Sequence, residues 1–172
     1  MREQQKQNID TFFERLDKLP TGGRTALKRA AGCMLPEAGG QAWSAFFSCL
    51  PYEVSPSMES RWFAAGCFHC LWEAGSERMP MGKVLYRLKD SSGSLERRIA
   101  ALFDLRWESD GYLLVKLSRI IKMARQKGYA IDCAALLKDL LRWDDDSQSV
   151  QRRWAREMYQ TTDITEEKGE NH

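Results

Sequence analysis

Residues 94–131 read SLERRIAALFDLRWESDGYLLVKLSRIIKMARQKGYAI, and this stretch decides the fold of the chain. In its second half, apolar residues recur at helical spacing and gather on one face at about 100° per residue. These residues are Leu113, Leu117, Ile120, Ile121 and Ala124. Arg119 and Lys122 point almost directly away from that face. The pattern predicts an amphipathic helix that buries its apolar face and exposes a cationic one.

The charge of the same stretch is one-sided. Residues 112–131 contain no acid, and their basic residues are Lys116, Arg119, Lys122, Arg125 and Lys127. Upstream, Leu95, Ile99, Leu102 and Phe103 form a second helical stripe, which leaves Arg97 and Arg98 off the apolar face. Two neighbouring helices would then share a basic surface. Such a surface suits a polyanion, because neutralised phosphates release counterions; the alternative is an ordinary solvated face.

Length and composition limit the class of protein. A chain of 172 residues fits one domain or two small ones and can bury a core without a metal or disulfide. Residues 163–172 hold four acids and one lysine, so the rest has 25 basic and 20 acidic residues, a net charge of +5. Five cysteines without an apolar leader favour a reducing cytoplasm. No apolar run reaches about eighteen residues, so we expect neither export nor a membrane span.

The N-terminal part of the sequence predicts two helices. Residues 4–19 have helical periodicity and end at a Pro and Gly cluster. A second helix is expected from the glycines through RTALKRAAGCML to Pro36, with Arg24, Lys28 and Arg29 in its first two turns. A glycine-led helix start exposes backbone N–H groups, so a phosphate could bind beside Arg24 and Lys28. A plain turn between helices is the alternative.

The next segment predicts a buried helix. After a short apolar helix in residues 41–50, Ser55 or Ser57 can cap a long helix. Its run RWFAAGCFHCLWEAG, residues 61–75, is apolar on nearly every side, which is typical of a helix at the centre of a bundle. KVLYRL then makes a brief helical turn, and the polar residues 89–94 are the candidate linker.

The C-terminal part predicts two more helices. Asp132 is expected to cap the helix CAALLKDLLRW, and Ser147 the helix SVQRRWAREMY, which has arginines on its flanks. Alternating strand patterns are missing from the sequence. We therefore predict an all-α fold of two helical bundles, residues 1–88 and 95–160, followed by a flexible acidic tail, residues 161–172.

Motifs for catalysis or metal binding are weak. Cys67 and Cys70 have the spacing of zinc ligands, but they lie in the most apolar helix, and no second pair completes a site. We expect them to be buried structural cysteines. The acids at 144–146 could bind a divalent cation, yet a loop at a helix N-terminus explains them more simply. With His69 and His172 as the two histidines, we expect no enzyme activity, metal or cofactor.

Tryptophans could stack on unpaired bases. Most of the six fall on helix stripes and are expected in the core. Trp107, at the break between the two central helices, is the one we expect to be exposed.

Several segments in a fixed order resemble one family. They are GGRTALKRA, MGKVLYRL, LERRIAALFDLRW, LLVKLSRIIKMA and LLKDLLRWDDDSQSVQRRWAREMY. Over residues 12–160 their order and spacing resemble the small subunit of the type I-E CRISPR surveillance complex, Cascade, known as the CasB family.

The resemblance implies a non-enzymatic, all-helical, two-bundle subunit present in two copies along the inner side of a crRNA-guided complex. It implies contacts with the large subunit, the repeated backbone subunits and the second copy, and a basic surface that stabilises the R-loop through its target and displaced strands. Where family members often carry two adjacent basic residues, this chain has Ser118 and Arg119, so either Lys116 or Arg119 is the contact. The residues implied for nucleic-acid binding are Arg24, Lys28, Arg29, Lys83, Arg87, Arg97, Arg98, Lys116, Arg119, Lys122, Arg142, Arg152 and Arg153.

Two other functions fit part of the sequence. A free-standing helical DNA-binding regulator would need a recognition helix with residues aimed at base edges, whereas the cationic helix carries mainly Lys and Arg suited to phosphates. A peripheral membrane protein would need the apolar stripe of that helix for lipid, but the core already requires it.

Overall fold

A computed structural model describes residues 2–108 and 110–160, and helices dominate this part of the chain. Their bounds are α1 Glu3–Asp17, α2 Thr21–Arg29, α3 Gly40–Cys49, α4 Glu59–His69, α5 Met81–Leu88, α6 Ser94–Phe103, α7 Tyr112–Gln126, α8 Cys133–Leu141 and α9 Ser149–Gln160. The strands are β1 Arg78–Met79 and β2 Ala130–Ile131. The all-α prediction is confirmed. None of the described helices combines the length and the apolar content that crossing a lipid bilayer requires.

Helix α4 lies at the centre of the core. Every residue from 61 to 69 is buried, because the sequence of α4 is apolar on nearly all sides. Helix α1 approaches it closely: a Cβ on Gly66 would lie 2.9 Å from the Phe12 ring. Helices α2 and α8 also pack against α4. The buried helix predicted in this segment is present, but it ends at His69 and does not continue through the predicted run to residue 75.

Helices from the two sides of the candidate linker pack together. Helix α5 makes its most extensive contact with α9, and α4 packs against α8. At the α5–α9 contact a glycine is required, since a Cβ on Gly82 would collide with the Glu157 side chain. One hydrophobic cluster includes residues of both segments. The boundary between bundles 1–88 and 95–160 stays a prediction, and the two segments share one core.

A short parallel bridge connects two loops that the sequence did not mark as strands. Arg78 pairs with Ala130, and Met79 pairs with Ile131. The Arg78 guanidinium donates hydrogen bonds to the carbonyls of Ile131 (3.1 Å) and His69 (3.3 Å). Two residues per strand are too few for an alternating pattern, which explains why this bridge left no signal in the sequence.

The predicted end of the second helix is wrong. Helix α2 ends at Arg29 instead of continuing to Pro36. Gly32 has a φ of +91°, and a Cβ there would collide with the Ser118 hydroxyl of α7. The chain therefore leaves the helix where close approach to α7 demands a glycine.

Two predicted helix starts are also corrected. A 3₁₀ turn at Pro56–Met58 precedes α4, and the hydroxyls of Ser55 and Ser57 contact each other (3.1 Å) instead of capping the helix. Helix α9 begins at Ser149, beyond the expected cap at Ser147. In contrast, Asp132 caps α8 as predicted, because its carboxylate accepts a hydrogen bond from the Ala135 N–H (3.0 Å). The predicted tail, residues 161–172, lies outside the described residues.

Candidate nucleic-acid interface

Helix α7 presents the predicted cationic face. Its apolar stripe is buried, and Arg119 and Lys122 are exposed on the opposite side, which confirms the predicted orientation of the helix. The helix follows Gly111, whose φ is +72°, and the Asp110 carboxylate accepts a hydrogen bond from the Tyr112 N–H (3.1 Å). The outer surface of α7 therefore carries several cations on a well-packed helix.

Helix α6 supplies the second part of the surface. Leu95, Ile99 and Leu102 are buried, whereas Arg97 and Arg98 are exposed, as predicted. The preceding turn is shaped by Asp90, whose carboxylate accepts hydrogen bonds from the Ser92 hydroxyl (2.6 Å) and N–H (2.9 Å). These bonds lower the pKa of Asp90, with a smaller contribution from the charge of Arg98.

A cleft of about 570 Å³ lies between α6 and α7. The residues that line it are Ser94, Arg97, Arg98, Ala101, Lys116, Arg119 and Ile120. Four of them are cations and none is an acid. Within residues 2–108 and 110–160, no carboxylate forms an ion pair with these four side chains. We call this feature the α6–α7 cleft; cations without an ion pair are the groups that can neutralise phosphates.

The end of α2 lies beside this region. A Cβ on Gly32 would lie 3.6 Å from the Lys122 Nζ, so the turn that follows α2 contacts the middle of α7. Lys28 is exposed in the last turn of α2. Arg29 is exposed too, but it lines a different depression, between α2 and α3, together with Glu37. The turn after α2 thus lies beside Lys122, whereas Lys28 is exposed on α2 itself and Arg29 belongs to another surface.

Arg24 has a structural role in this protein. Its guanidinium donates hydrogen bonds to the carbonyls of Leu16 and Trp72, both at 3.1 Å, and lies 3.5 Å from the Asp17 carboxylate. These contacts connect α1, α2 and the end of α4. A guanidinium already committed to three acceptors has few donors left for a phosphate. Arg24 is therefore not part of the surface that we propose below.

A second groove, of about 280 Å³, carries mixed charge between α5, α8 and α9. Arg142 and Arg153 line it, as does Lys138, which is not among the residues predicted from the sequence to bind nucleic acid. Lys138 lies four residues before Arg142, the residue that follows α8, and this spacing in the sequence indicates that the two side chains lie on the same side of the helix. Acids offset this charge: Arg142 pairs with Asp145 (3.3 Å), and Arg153 pairs with Asp139 and, at 3.7 Å, with Glu157. The cations of this groove are therefore more fully paired with acids than those of the α6–α7 cleft.

The remaining predicted residues are spread over other surfaces. On α5, Lys83 is half-buried, and the Arg87 guanidinium lies 5.9 Å from the centroid of the Tyr129 ring. Arg152 is exposed on α9. None of these three lines the α6–α7 cleft. The thirteen residues named from the sequence therefore line several separate depressions or none, and four of them line the cleft.

Residues with catalytic or metal-binding chemistry are used for packing. Cys67 and Cys70 are buried, as predicted, and burial raises the pKa of both thiols, that of Cys70 to about 11. Burial also lowers the pKa of His69, although its Nε2 contacts the Asp17 carboxylate at 2.7 Å. The Asp144 carboxylate accepts hydrogen bonds from Arg61 and from a backbone N–H. In the described part of the chain, no three His, Cys, Asp or Glu residues gather in a way that could hold a metal ion.

The expectation that Trp107 is exposed is wrong. Its indole N–H donates a hydrogen bond to the Ser60 hydroxyl (2.9 Å), and the Arg61 guanidinium lies 5.8 Å from its ring centroid, so the side chain is half-buried. Among the described tryptophans, Trp43 on α3 is the exposed one, at 38%.

The fold and the cleft together define a small helical protein with a surface suited to a polyanion. A model of the family described as CRISPR-associated protein Cse2 matches residues 23–159. The chain belongs to this family, and the predicted resemblance to the small subunits of type I-E Cascade is confirmed.

Individual relatives agree with this assignment. The Cse2 protein of Thermus thermophilus is 33% identical over 88 residues, which span 51% of this chain and 48% of that protein. The crystal structure of CasB from Thermus thermophilus matches with a TM-score of 0.68 and 24% identity, covering 89% of this chain and 98% of that one. A chain of a CRISPR RNA-guided surveillance complex matches with a TM-score of 0.71 and 20% identity, covering 90% and 92%.

Proposed function

We propose that this protein is a non-catalytic small subunit of a type I-E crRNA-guided surveillance complex, Cascade, and that the α6–α7 cleft binds nucleic-acid backbone. Family membership supports the first part of the proposal. The second part depends on one observation: Arg97, Arg98, Lys116 and Arg119 line a single cleft without an acid. In that role the protein contributes to antiviral defence in the cytoplasm.

The chemistry of the cleft favours phosphates over base edges. Its lining contains no Asn or Gln, the side chains that recognise adenine in a major groove. Lysines and arginines that neutralise phosphates bind every sequence about equally well. A subunit with this surface would serve a complex in which base pairing with crRNA supplies the specificity.

Backbone binding of this kind would stabilise an R-loop. Replacing a DNA duplex by an RNA–DNA duplex is nearly balanced in free energy, so a few phosphate contacts to the separated strands shift the equilibrium. We propose that the cleft binds the target strand or the displaced strand, and that Lys28 and Lys122 extend the contact beside it. Lys83, Arg87, Arg142, Arg152 and Arg153 face other surfaces, where we propose secondary contacts with crRNA, target DNA or other subunits.

The assembly belongs to the proposal as well. The partners are the large subunit, the repeated backbone subunits and a second copy of this chain, as family membership implies. Exposed apolar side chains outside the cleft, such as Phe47 and Tyr52, are available for such contacts.

The test compares two arginines of one helix. Arg119→Ala removes a cation from the cleft, and Arg125→Ala removes another exposed cation of α7 that does not line it. Binding of a mixed-sequence single strand is measured by fluorescence anisotropy across a salt series. For Arg119→Ala we expect weaker binding and a log–log salt slope smaller by about 0.7, the value for one lost phosphate contact on a single strand. Arg125→Ala should leave the slope unchanged.

The same pair of variants is then tested in the assembled complex. With Arg119→Ala, R-loop formation on a matched target should decrease, and the melting temperature of the isolated chain should stay within about 2 °C of the parent value, because an exposed side chain without an ion pair adds little stability. Equal effects of the two substitutions, or normal R-loop formation with Arg119→Ala, would contradict a role for the cleft.

A further inference from the structure

An exposed aromatic ring lies next to the α6–α7 cleft. Tyr112 begins α7 and is 61% exposed, and its ring centroid lies 5.7 Å from the Nζ of Lys116, a residue that lines the cleft. The two residues are one helical turn apart, about 6 Å along the helix axis. Val115, 44% exposed, lies between them in the sequence. Two exposed side chains with apolar surface, Tyr112 and Val115, therefore lie next to the cations of the cleft.

Packing does not account for this ring. The next two residues, Leu113 and Leu114, are buried, whereas Tyr112 points outward from the helix. Its hydroxyl makes no hydrogen bond to any residue in the described ranges, and its backbone N–H is satisfied by Asp110. A large aromatic side chain that is exposed beside unpaired cations has the composition of a site for unpaired nucleic acid, in which cations bind the backbone and rings stack on bases.

We propose that Tyr112 is a stacking platform for one unpaired base, which makes the α6–α7 cleft a site for a single strand in preference to a duplex. In this arrangement the phosphates contact Arg97, Arg98 and Arg119, while the adjacent base lies on the Tyr112 ring. Lys116, which lines the cleft next to the ring, contacts the phosphate that links the bound backbone to the stacked base. A duplex keeps its bases stacked on one another and offers no base face to the ring. This proposal rests on the proposed function of the cleft.

The chain contains a matched control for the ring. Tyr159 on α9 is 59% exposed and has the Lys89 Nζ at 5.2 Å from its ring centroid, so it reproduces the tyrosine and lysine pair of Tyr112. Neither Tyr159 nor Lys89 lines the α6–α7 cleft. Replacing Tyr159 therefore reports the general cost of removing an exposed tyrosine.

The experiment compares two ligands with the same number of phosphates: an oligothymidine and an abasic strand of equal length. Tyr112→Leu should bind the oligothymidine about tenfold more weakly, the effect of one stacked base, and bind the abasic strand as the parent protein does. Its salt slope should not change, because no phosphate contact is lost. Tyr112→Phe should retain parental affinity, and Tyr159→Leu should change neither ligand. Melting temperatures verify that all variants fold.

The other outcomes distinguish the stacking of a base on Tyr112 from the binding of phosphates in the cleft. If Tyr112→Leu weakens both ligands equally, the ring acts only by positioning Lys116, and stacking is refuted. If Tyr112→Leu changes neither ligand while Arg119→Ala weakens both, stacking is refuted and the phosphate cleft stands. If Arg119→Ala changes neither ligand, the cleft holds no strand and both proposals fail.

Discussion

Replacing Asp144 by alanine should destabilise the protein far more than the same change at its neighbour Asp145. The Asp144 carboxylate accepts a hydrogen bond from the Arg61 Nη2 (2.7 Å) and one from the Trp107 N–H (2.9 Å). Asp144 thereby joins α4, the chain after α6 and the end of α8. The Arg61 side chain is 10% exposed, and its Nε has no hydrogen-bond partner within the described structure. Removal of Asp144 leaves a buried guanidinium without a counter-charge.

The expected loss follows from that burial. Breaking a buried ion pair by removing one partner costs about 3–5 kcal/mol. Because the Asp144 side chain is 30% exposed, water can partly replace it, so we take the lower end, about 3 kcal/mol. For a domain of this size, each kcal/mol lowers the melting temperature by about 2–4 °C, which gives a decrease of about 6–12 °C. Thermal unfolding followed by circular dichroism measures it.

Asp145→Ala is the matched control. Asp145 pairs with Arg142 at 3.3 Å, but both side chains are about half exposed, and a surface pair contributes at most about 1 kcal/mol. We therefore expect a decrease of no more than about 4 °C. If the two substitutions lowered the melting temperature equally, the buried contact of Asp144 with Arg61 would not be the reason for stability.

Two further predictions concern the core. Gly82→Ala should lower the free energy of unfolding, measured by urea denaturation, by about 2 kcal/mol, because the new Cβ collides with Glu157. The control is Gly22→Ala, which has nothing within 4 Å of its Cβ and should raise the free energy of unfolding by about 0.5–1 kcal/mol. A Gly82→Ala protein as stable as the parent would refute the close contact. Burial lowers the pKa of His69 in the folded protein. As the pH falls, His69 therefore gains a proton in the unfolded chain at a higher pH than in the folded protein, and the free energy of unfolding should decline below about pH 6.5. His69→Phe should flatten that part of the curve measured between about pH 5 and pH 8, and an unchanged curve would contradict the assignment.

The helices around the cleft could be predicted because the pattern that defines them is local. In α7, the spacing of apolar residues determines which side is buried, and it also places Arg119 outside. Helices α6 and α7 follow each other in the chain, so their free faces could be expected to adjoin. The cleft confirms that Arg97, Arg98, Lys116 and Arg119 share one surface.

Sequence patterns are least informative where a partner is distant in the sequence. The two carbonyls that accept hydrogen bonds from Arg24 belong to residues 8 and 48 positions away. Because every residue has a backbone carbonyl, the sequence does not indicate which carbonyls bind Arg24. Trp107 is half-buried through Ser60, which lies 47 positions earlier. Arg153 is a predicted nucleic-acid contact, and its guanidinium pairs with Asp139, 14 positions earlier. Charge and periodicity indicate which residues face outward, and they do not indicate which of them already have a partner.

The packing of α5 against α9 has a consequence for the newly made chain. Residues 81–88 leave the ribosome long before residues 149–160. The apolar side of α5 that packs against α9 therefore stays uncovered until most of the remaining polypeptide has been synthesised. Contacts that join distant parts of a sequence form slowly, and uncovered apolar surface favours aggregation in the meantime. Truncation before Ser149 should therefore yield an aggregating product, and the yield of folded protein should depend on completing the last helix.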